Sequence, residues 1–315
     1  MLTAFRLQHQ RLEQIQAAEP DELARDAVWI DLVEPTPEER ARVMDFYGVR
    51  LPDAEDMEEI EATARFFMDE DGLHIHSFFL HDFEDTPANI TVAFVLKDER
   101  LFTLHGEDLA TIRLFRLRAR SRSRTLADAL SILLSMFATK VDRLADILES
   151  VYTSLESASE KVLRQNGKDL QELLADIAQY EDISGKARLS LLDTQRALSF
   201  VLRNLKLKDE QVEQVRDVLR DVDSLLPHTA FLFDKVNFLM DAIQGFINIE
   251  QNRIIKIFSI AAVVFLPPTL VASIYGMNFH SMPELGWRLG YPLAIVLMIL
   301  SGLSPYWYFK RRGWL

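Results

Sequence analysis

Two charge-free apolar stretches, Ile257–Tyr275 and Leu289–Phe309, constrain this 315-residue chain more than any other feature. A helix rises about 1.5 Å per residue, so roughly 20 apolar residues cross a hydrocarbon core about 30 Å thick. Both stretches are long enough to span, and residues 276–288 between them leave room only for a hairpin. Arg253 and Lys256 precede the first stretch, and Lys310, Arg311 and Arg312 follow the second, whereas the connection carries only Arg288. Lys and Arg concentrate on the cytoplasmic side of a span. The reading is a multi-pass protein of the bacterial inner (plasma) membrane with the hairpin tip outside and both termini in the cytoplasm. Met1–Gln14 mixes charges with single apolar residues and has no signal-peptide pattern.

Composition then narrows the function. The chain has no cysteine, which excludes a disulfide framework and a thiolate metal site. Its formal net charge is −13, carried by the polar first 250 residues or so, because the apolar end is net basic. An acidic cytoplasmic part disfavours nucleic acid and suits cations, although acidity also serves plain solubility. No Gly-rich phosphate loop and no nucleophile–base arrangement is recognisable, so the chain reads as a non-enzyme.

The order of elements predicts an α/β domain over residues 1–124, long cytoplasmic helices over 125–226 and the cytoplasmic part of a final long helix over 227–256. A first span (257–275), an outer loop (276–288), a second span (289–309) and a basic tail (310–315) follow. Strands are expected at Ala27–Leu32, Leu73–Leu80, Asn89–Leu96 and Arg100–Leu104, the last two joined by the turn Lys97-Asp98-Glu99. Thr36, Pro37 and Glu39 form a helix-starting capping box. Strands between helices predict a mixed sheet covered by helices. From Leu126 apolar residues recur at helical spacing to Gln165, again over Leu170–Leu205, and again from Asp209 to Leu226. Pro227 either starts the last helix or kinks it, and that helix continues into the membrane.

One row of that helix runs Asp241, Gly245, Asn248, Asn252, Ile255, Ser259, Ala262, Leu266, Thr269, Ser273, in alternating steps of four and three. This is coiled-coil spacing, but the row is mainly polar or small. Small residues let membrane helices pack closely. Polar residues at membrane depth instead face a bundle interior or a water-filled axis. A pore needs a ring of identical copies, because one hairpin encloses nothing.

Tyr275-Gly276-Met277-Asn278-Phe279 followed by Met282-Pro283-Glu284-Leu285 resembles the signature loop of the CorA family of magnesium channels. The runs Gly245–Arg253 and Phe265–Leu270 and the ending Tyr308-Phe309-Lys310-Arg311 extend the resemblance to the whole chain. It implies a funnel-shaped homopentamer in a lipid bilayer, with the first span lining the pore. It also implies passive Mg²⁺ influx driven by membrane potential, with Co²⁺ and Ni²⁺ passing too. Gly276, Met277 and Asn278 are then the selectivity ring, with Leu266 and Thr269 lining the pore. Ile255 and Phe258 are the hydrophobic gate, and Asn252 and Asp241 lie nearer the cytoplasmic mouth. Leu266 and Ile255 stand where the family commonly has Met. The resemblance also implies intracellular Mg²⁺ bound between neighbouring subunits by Asp56 and Asp217, holding the pore shut. Mg²⁺ sheds its waters reluctantly, so an amide-and-carbonyl ring that hydrogen-bonds a hydrated ion suits it.

Two rivals stay open. One is a zinc or other-cation transporter on the same fold. The other is a tethered scaffold or enzyme, whose hairpin only anchors it. His74 and His76 share one strand face as a zinc pair would, but no third ligand is spaced near them, so a packed or surface pair is expected. The basic run Arg116–Arg124 lacks interleaved aromatics and is expected to meet acidic helices rather than RNA.

Overall fold

The structure, a computed structural model, describes residues 1–15, 25–53, 56–57, 65–81, 87–120, 126–164, 170–277, 280 and 282–313. Among these the chain forms two compact units, one from residues up to Met240 and one from Asp241 onward.

The first unit is built on a seven-stranded mixed sheet. Its strands are β1 (Leu2–Gln8), β2 (Arg11–Gln14), β3 (Trp29–Val33), β4 (Phe66–Asp69), β5 (Gly72–His81), β6 (Ala88–Lys97) and β7 (Arg100–His105). They lie in the order β2-β1-β3-β7-β6-β5-β4, with β3 and β7 parallel and every other pair antiparallel. Helix α1 (Pro37–Tyr47) begins with the reciprocal Thr36–Glu39 capping box that the sequence predicts. Gly72 makes the turn into β5 at φ 111°, where a Cβ would stand 2.2 Å from the Leu96 carbonyl oxygen. Only glycine fits there.

Successive strand residues face opposite sides of a sheet, and this parity sorts the core into two layers. Ile30, Leu32, Ala93, Val95, Phe102 and Leu104 pack with Val43 of α1 on one face. Phe79 and Phe94 meet Phe137 on the other, with ring centroids 5.5–6.5 Å apart. Phe137 belongs to α3 (Ala129–Arg164), which packs along α4 (Leu170–Asn204), and α4 lies on β5. Helix α2 (Ala110–Arg120) packs on α3 and β2.

The basic run does not lie on acidic helices alone. Arg118 meets Asp142 of α3 at 2.6 Å, but Arg116 donates at 2.8 Å to Asp31, a strand residue with no exposed surface. That carboxylate also accepts from Thr103 and contacts His105 Nε2 at 3.0 Å. A buried carboxylate is tolerated only with such partners. Residues 121–125 of the run lie outside the described residues.

Helix α5 (Asp209–Tyr275) runs unbroken for 67 residues, with Pro227, Pro267 and Pro268 inside it. The helix therefore starts at Asp209 and not at Pro227. It contributes to both units, and in the second it is followed by a 3₁₀ turn at Pro283–Gly286 and by α6 (Gly290–Arg311).

Candidate functional site

The apolar windows of α5 and α6 are the two helical segments long and apolar enough to cross a membrane among the described residues. Proline supplies no N–H, so Pro268 leaves the Val264 carbonyl without its helical donor. The two helices approach at this place. A Cβ on Gly302 would stand 3.2 Å from Pro268 Cγ and 3.5 Å from the Val264 oxygen. Small residues permit such close backbone approach where lipid leaves no hydrophobic drive between helices. Ile260, Ala261, Val264, Pro267, Pro268 and Val271 are accordingly half-covered.

The polar row occupies another face. Asn252, Ile255, Ser259, Ala262, Leu266, Thr269 and Ser273 are all exposed in the single chain, as are Asp241 and Asn248. Ile255 is 61% exposed, Phe258 72% and Leu266 65%. Thr269 donates to the Phe265 carbonyl at 2.7 Å, and its hydroxyl oxygen keeps acceptor capacity.

Helix α5 closes at the signature loop, where the Gly276 amide donates to Ala272 at 2.9 Å and that of Met277 to Ile274 at 3.2 Å. Gly276 and Met277 are exposed. Asn278 and Phe279 lie outside the described residues. At the far end of α6, the Arg311 guanidinium stands 5.6 Å from the Trp307 ring and that of Arg312 stands 5.7 Å from Tyr308.

The two aspartates of the inferred regulatory pair are each engaged within the chain. Asp56 accepts from the Asp53 amide at 2.9 Å while its own amide donates back to Asp53 at 3.0 Å. Asp217 accepts from Arg220 at 2.8 Å, one turn along α5. No group of three or more His, Asp or Glu able to hold a metal ion occurs among the described residues. Glu55, Glu58, Glu59 and Glu61, the acidic neighbours of Asp56 in the sequence, lie outside them.

His74 and His76 are packed rather than exposed. The His74 ring stacks on Phe67 with centroids 4.5 Å apart and meets Asp69 at 2.9 Å. Burial, reinforced by His74, pushes the His76 pKa down to about 4, while the charge of nearby Asp56 pulls the other way.

The sequence reading missed a buried charge cluster. Arg65, Lys140 and Asp193 are each 5% exposed or less. Asp193 accepts from Ser77 Oγ at 2.5 Å and from the Phe78 amide at 2.9 Å, and pairs with Arg65 at 3.0 Å. Lys140 reaches Ser77 Oγ at 2.9 Å and stands 3.7 Å from Asp193. Burial lowers the Lys140 pKa to about 8 against the attraction of Asp193. A lone Asp, Lys or Arg in a helical pattern carries no sign of such a partner. The available signal was their position on otherwise apolar faces.

A family model described as "CorA-like Mg2+ transporter protein" matches residues 24–311. The chain is 55% identical over 317 aligned residues to the magnesium transport protein CorA of Salmonella typhimurium, covering all of both chains. Its identity to the protein of the same name from Escherichia coli K12 is also 55%, again over the full length of both. The solved structure of the complete CorA magnesium transporter from Methanocaldococcus jannaschii has a TM-score of 0.79 at 23% identity, over 100% of this chain and 99% of that one. Fold, spans and sequence agree, and the chain belongs to the CorA family.

Proposed function

We propose that this chain is a magnesium influx channel of the bacterial inner membrane, working as a homopentamer around a pore lined by α5. The observation that carries this reading is the face of α5 turned from the α6 contact. Within the span it bears Ser259, Ala262, Thr269 and Ser273 and is uncovered in the single chain. Uncovered polar side chains at hydrocarbon depth are costly unless water or other copies meet them. A ring of copies supplies both.

In this reading Gly276, Met277 and Asn278 ring the outer mouth and hold Mg²⁺ with its water shell, because Mg²⁺ dehydrates reluctantly. Co²⁺ and Ni²⁺ pass by the same contacts. Leu266 and Thr269 line the pore below, and Ile255 and Phe258 close it by dewetting. Asn252 and Asp241 face the cytoplasmic mouth. Entry needs no ATP, since a divalent ion gains about 4.6 kcal/mol per 100 mV of inside-negative potential. Asp56 of one copy and Asp217 of the next bind intracellular Mg²⁺, a hard cation suited to carboxylate oxygens. That ion favours the closed ring by its differential affinity.

Flux into liposomes tests the proposal. Wild type should admit Mg²⁺ under an inside-negative potential, and Asn278→Ala should reduce uptake at least about 100-fold while the oligomer stays assembled, as loss of a filter's coordinating ring requires. Zn²⁺ flux without Mg²⁺ flux would replace the reading with a zinc transporter. No cation flux from correctly inserted protein would leave only a tether.

A further inference from the structure

Helices α4 and α5 and strand β4 border an open cleft of about 650 Å³ that conduction does not use. Arg196, Ser199 and Arg203 of α4 line it, with an apolar wall of Phe66, Phe200 and Leu219. Residues three and four apart share a helix face. Ser199 stands three residues after Arg196 and four before Arg203, so three donors lie along one stripe of α4. The Phe66 and Phe200 rings lie 6.3 Å apart, and Phe200 and Leu219 are half-buried.

The two guanidinia have no carboxylate. Among the described residues Arg196 and Arg203, both exposed, form neither an ion pair nor a hydrogen bond. Other exposed arginines take acidic partners, among them Arg6 with Glu13, Arg113 with Asp108 and Arg220 with Asp217. Asp193 stands three residues before Arg196, but it is buried and taken by Arg65, Ser77 and Phe78. Asp223 of α5 also lines the cleft, where its Oδ1 accepts from Gln195 at 2.7 Å and its Oδ2 is left as an acceptor. In a chain of net charge −13, two uncompensated cations on one cleft are a local exception.

We propose that this cleft binds a nucleotide, with its phosphates on Arg196, Ser199 and Arg203, its ribose at Asp223 and its base against the apolar wall. The planar guanidinium fork matches phosphate oxygens. The seven residues from Arg196 to Arg203 cover about 10 Å of helix, which suits linked phosphates better than a single one. A carboxylate repels phosphate but accepts from ribose hydroxyls, and Asp223 keeps an oxygen for them. The volume lies within the roughly 300–1,000 Å³ of small-molecule sites. Two solvated arginines would explain the charge alone. They would not explain why an aromatic wall and a free carboxylate oxygen open on the same cleft. An inorganic anion would leave that wall unused, and an apolar ligand would leave the arginines unused. The ligand is held by side chains, without a Gly-rich loop, and its binding ties α4 to α5 beside the Gln195–Asp223 contact.

Equilibrium dialysis of radiolabelled ATP against the full-length protein in detergent, at fixed free Mg²⁺, tests the site. Wild type should bind ATP saturably. Arg196→Gln and Arg203→Gln should each weaken binding at least about tenfold, as loss of a charge-assisted hydrogen bond requires. Arg113→Gln removes an exposed arginine from α2 and should leave binding unchanged. Phe200→Ala and the conservative Asp223→Asn should weaken ATP while inorganic triphosphate binds at least as well as before. The assignment is overturned by an absence of saturable ATP binding, by binding that survives both cleft-arginine variants, or by an equal loss in Arg113→Gln. Inorganic triphosphate bound as tightly as ATP by wild type would replace the nucleotide site with a plain anion site. Break-up of the oligomer in Arg196→Gln or Arg203→Gln, read by size-exclusion chromatography, would show that a second copy fills the cleft and would overturn the assignment too.

Discussion

Phe102 and Phe258 are the same side chain in two settings. Phe102, on β7, is 2% exposed and lies against Tyr47 of α1 with ring centroids 5.4 Å apart. Phe258, on α5, is 72% exposed. In the N-terminal unit the apolar residues around the sheet are covered by other parts of the same chain, and the groups that need explaining are buried charges such as Asp31 and Asp193. In the C-terminal unit the apolar residues are left open, and the groups that need explaining are exposed polar ones such as Asn252 and Thr269. One unit buries a core of its own around the sheet. The other leaves its apolar side chains open in the single chain, as at Phe258 and Leu266.

Four measurements would break or sharpen this contrast. Phe102→Ala should destabilise the N-terminal unit by about 3–5 kcal/mol, the cost of emptying a packed aromatic site. Chemical unfolding of the full-length protein in detergent reads this. Phe258→Ala should leave the same unfolding curve in place and instead raise ion leak at high internal Mg²⁺. Equal destabilisation by both would erase the distinction.

The second test uses the buried cluster. Lys140 has a folded pKa of about 8 against an ordinary 10.5, so the unfolded chain holds the proton more tightly between those values. Stability contributed by this group is present above pH 10.5 and is lost as pH falls toward 8, a swing of about 3 kcal/mol. Lys140→Met should lack that swing when the two unfolding curves are compared across the window. Parallel curves would show that Lys140 is not held as described.

Next in size is the helix approach. Gly302→Val should cost about 1–3 kcal/mol of hairpin stability by overpacking against Pro268 and the Val264 carbonyl. Detergent-titrated unfolding measures it, and an unchanged midpoint would place the contact elsewhere. Smallest is Ile299→Ala, at a site 55% exposed. It should move N-terminal unfolding by less than about 0.5 kcal/mol, and a larger loss would mean that this surface is covered by protein.

Much of this was legible before any coordinates. The hairpin, the strands at β3, β5, β6 and β7, the Thr36–Glu39 cap and the three long helices each carry a local signal of period or cap chemistry. Strands β1 and β2 were not legible, because charged residues interrupt their short alternation, as in Arg6 and in Arg11 and Glu13. Strand β4 is four residues long, too short for its period to stand out. Helix α2 was hidden in a basic run whose amphipathic spacing matters only once Asp31 and Asp142 face it. Of the candidate site, the row on α5 could be read from spacing, and the loop at Gly276–Asn278 only from its resemblance to the CorA signature. The engagement of Asp56 by Asp53 and of Asp217 by Arg220 could not.

The sequence by itself determined that this chain carries two helices long and apolar enough to cross a membrane, where their basic flanks lie, and which stripe of α5 is polar. These depend on length, charge and period, which are properties of neighbours along the chain. Tertiary structure alone decided that β3 and β7 run parallel, that Arg65 and α4 meet the β5 backbone at His76 and Phe78, and that Lys140, Asp193 and Ser77 meet although they stand far apart in sequence. Those pairings depend on which surfaces the fold brings together. A buried charge is stable only with the partners it finds there.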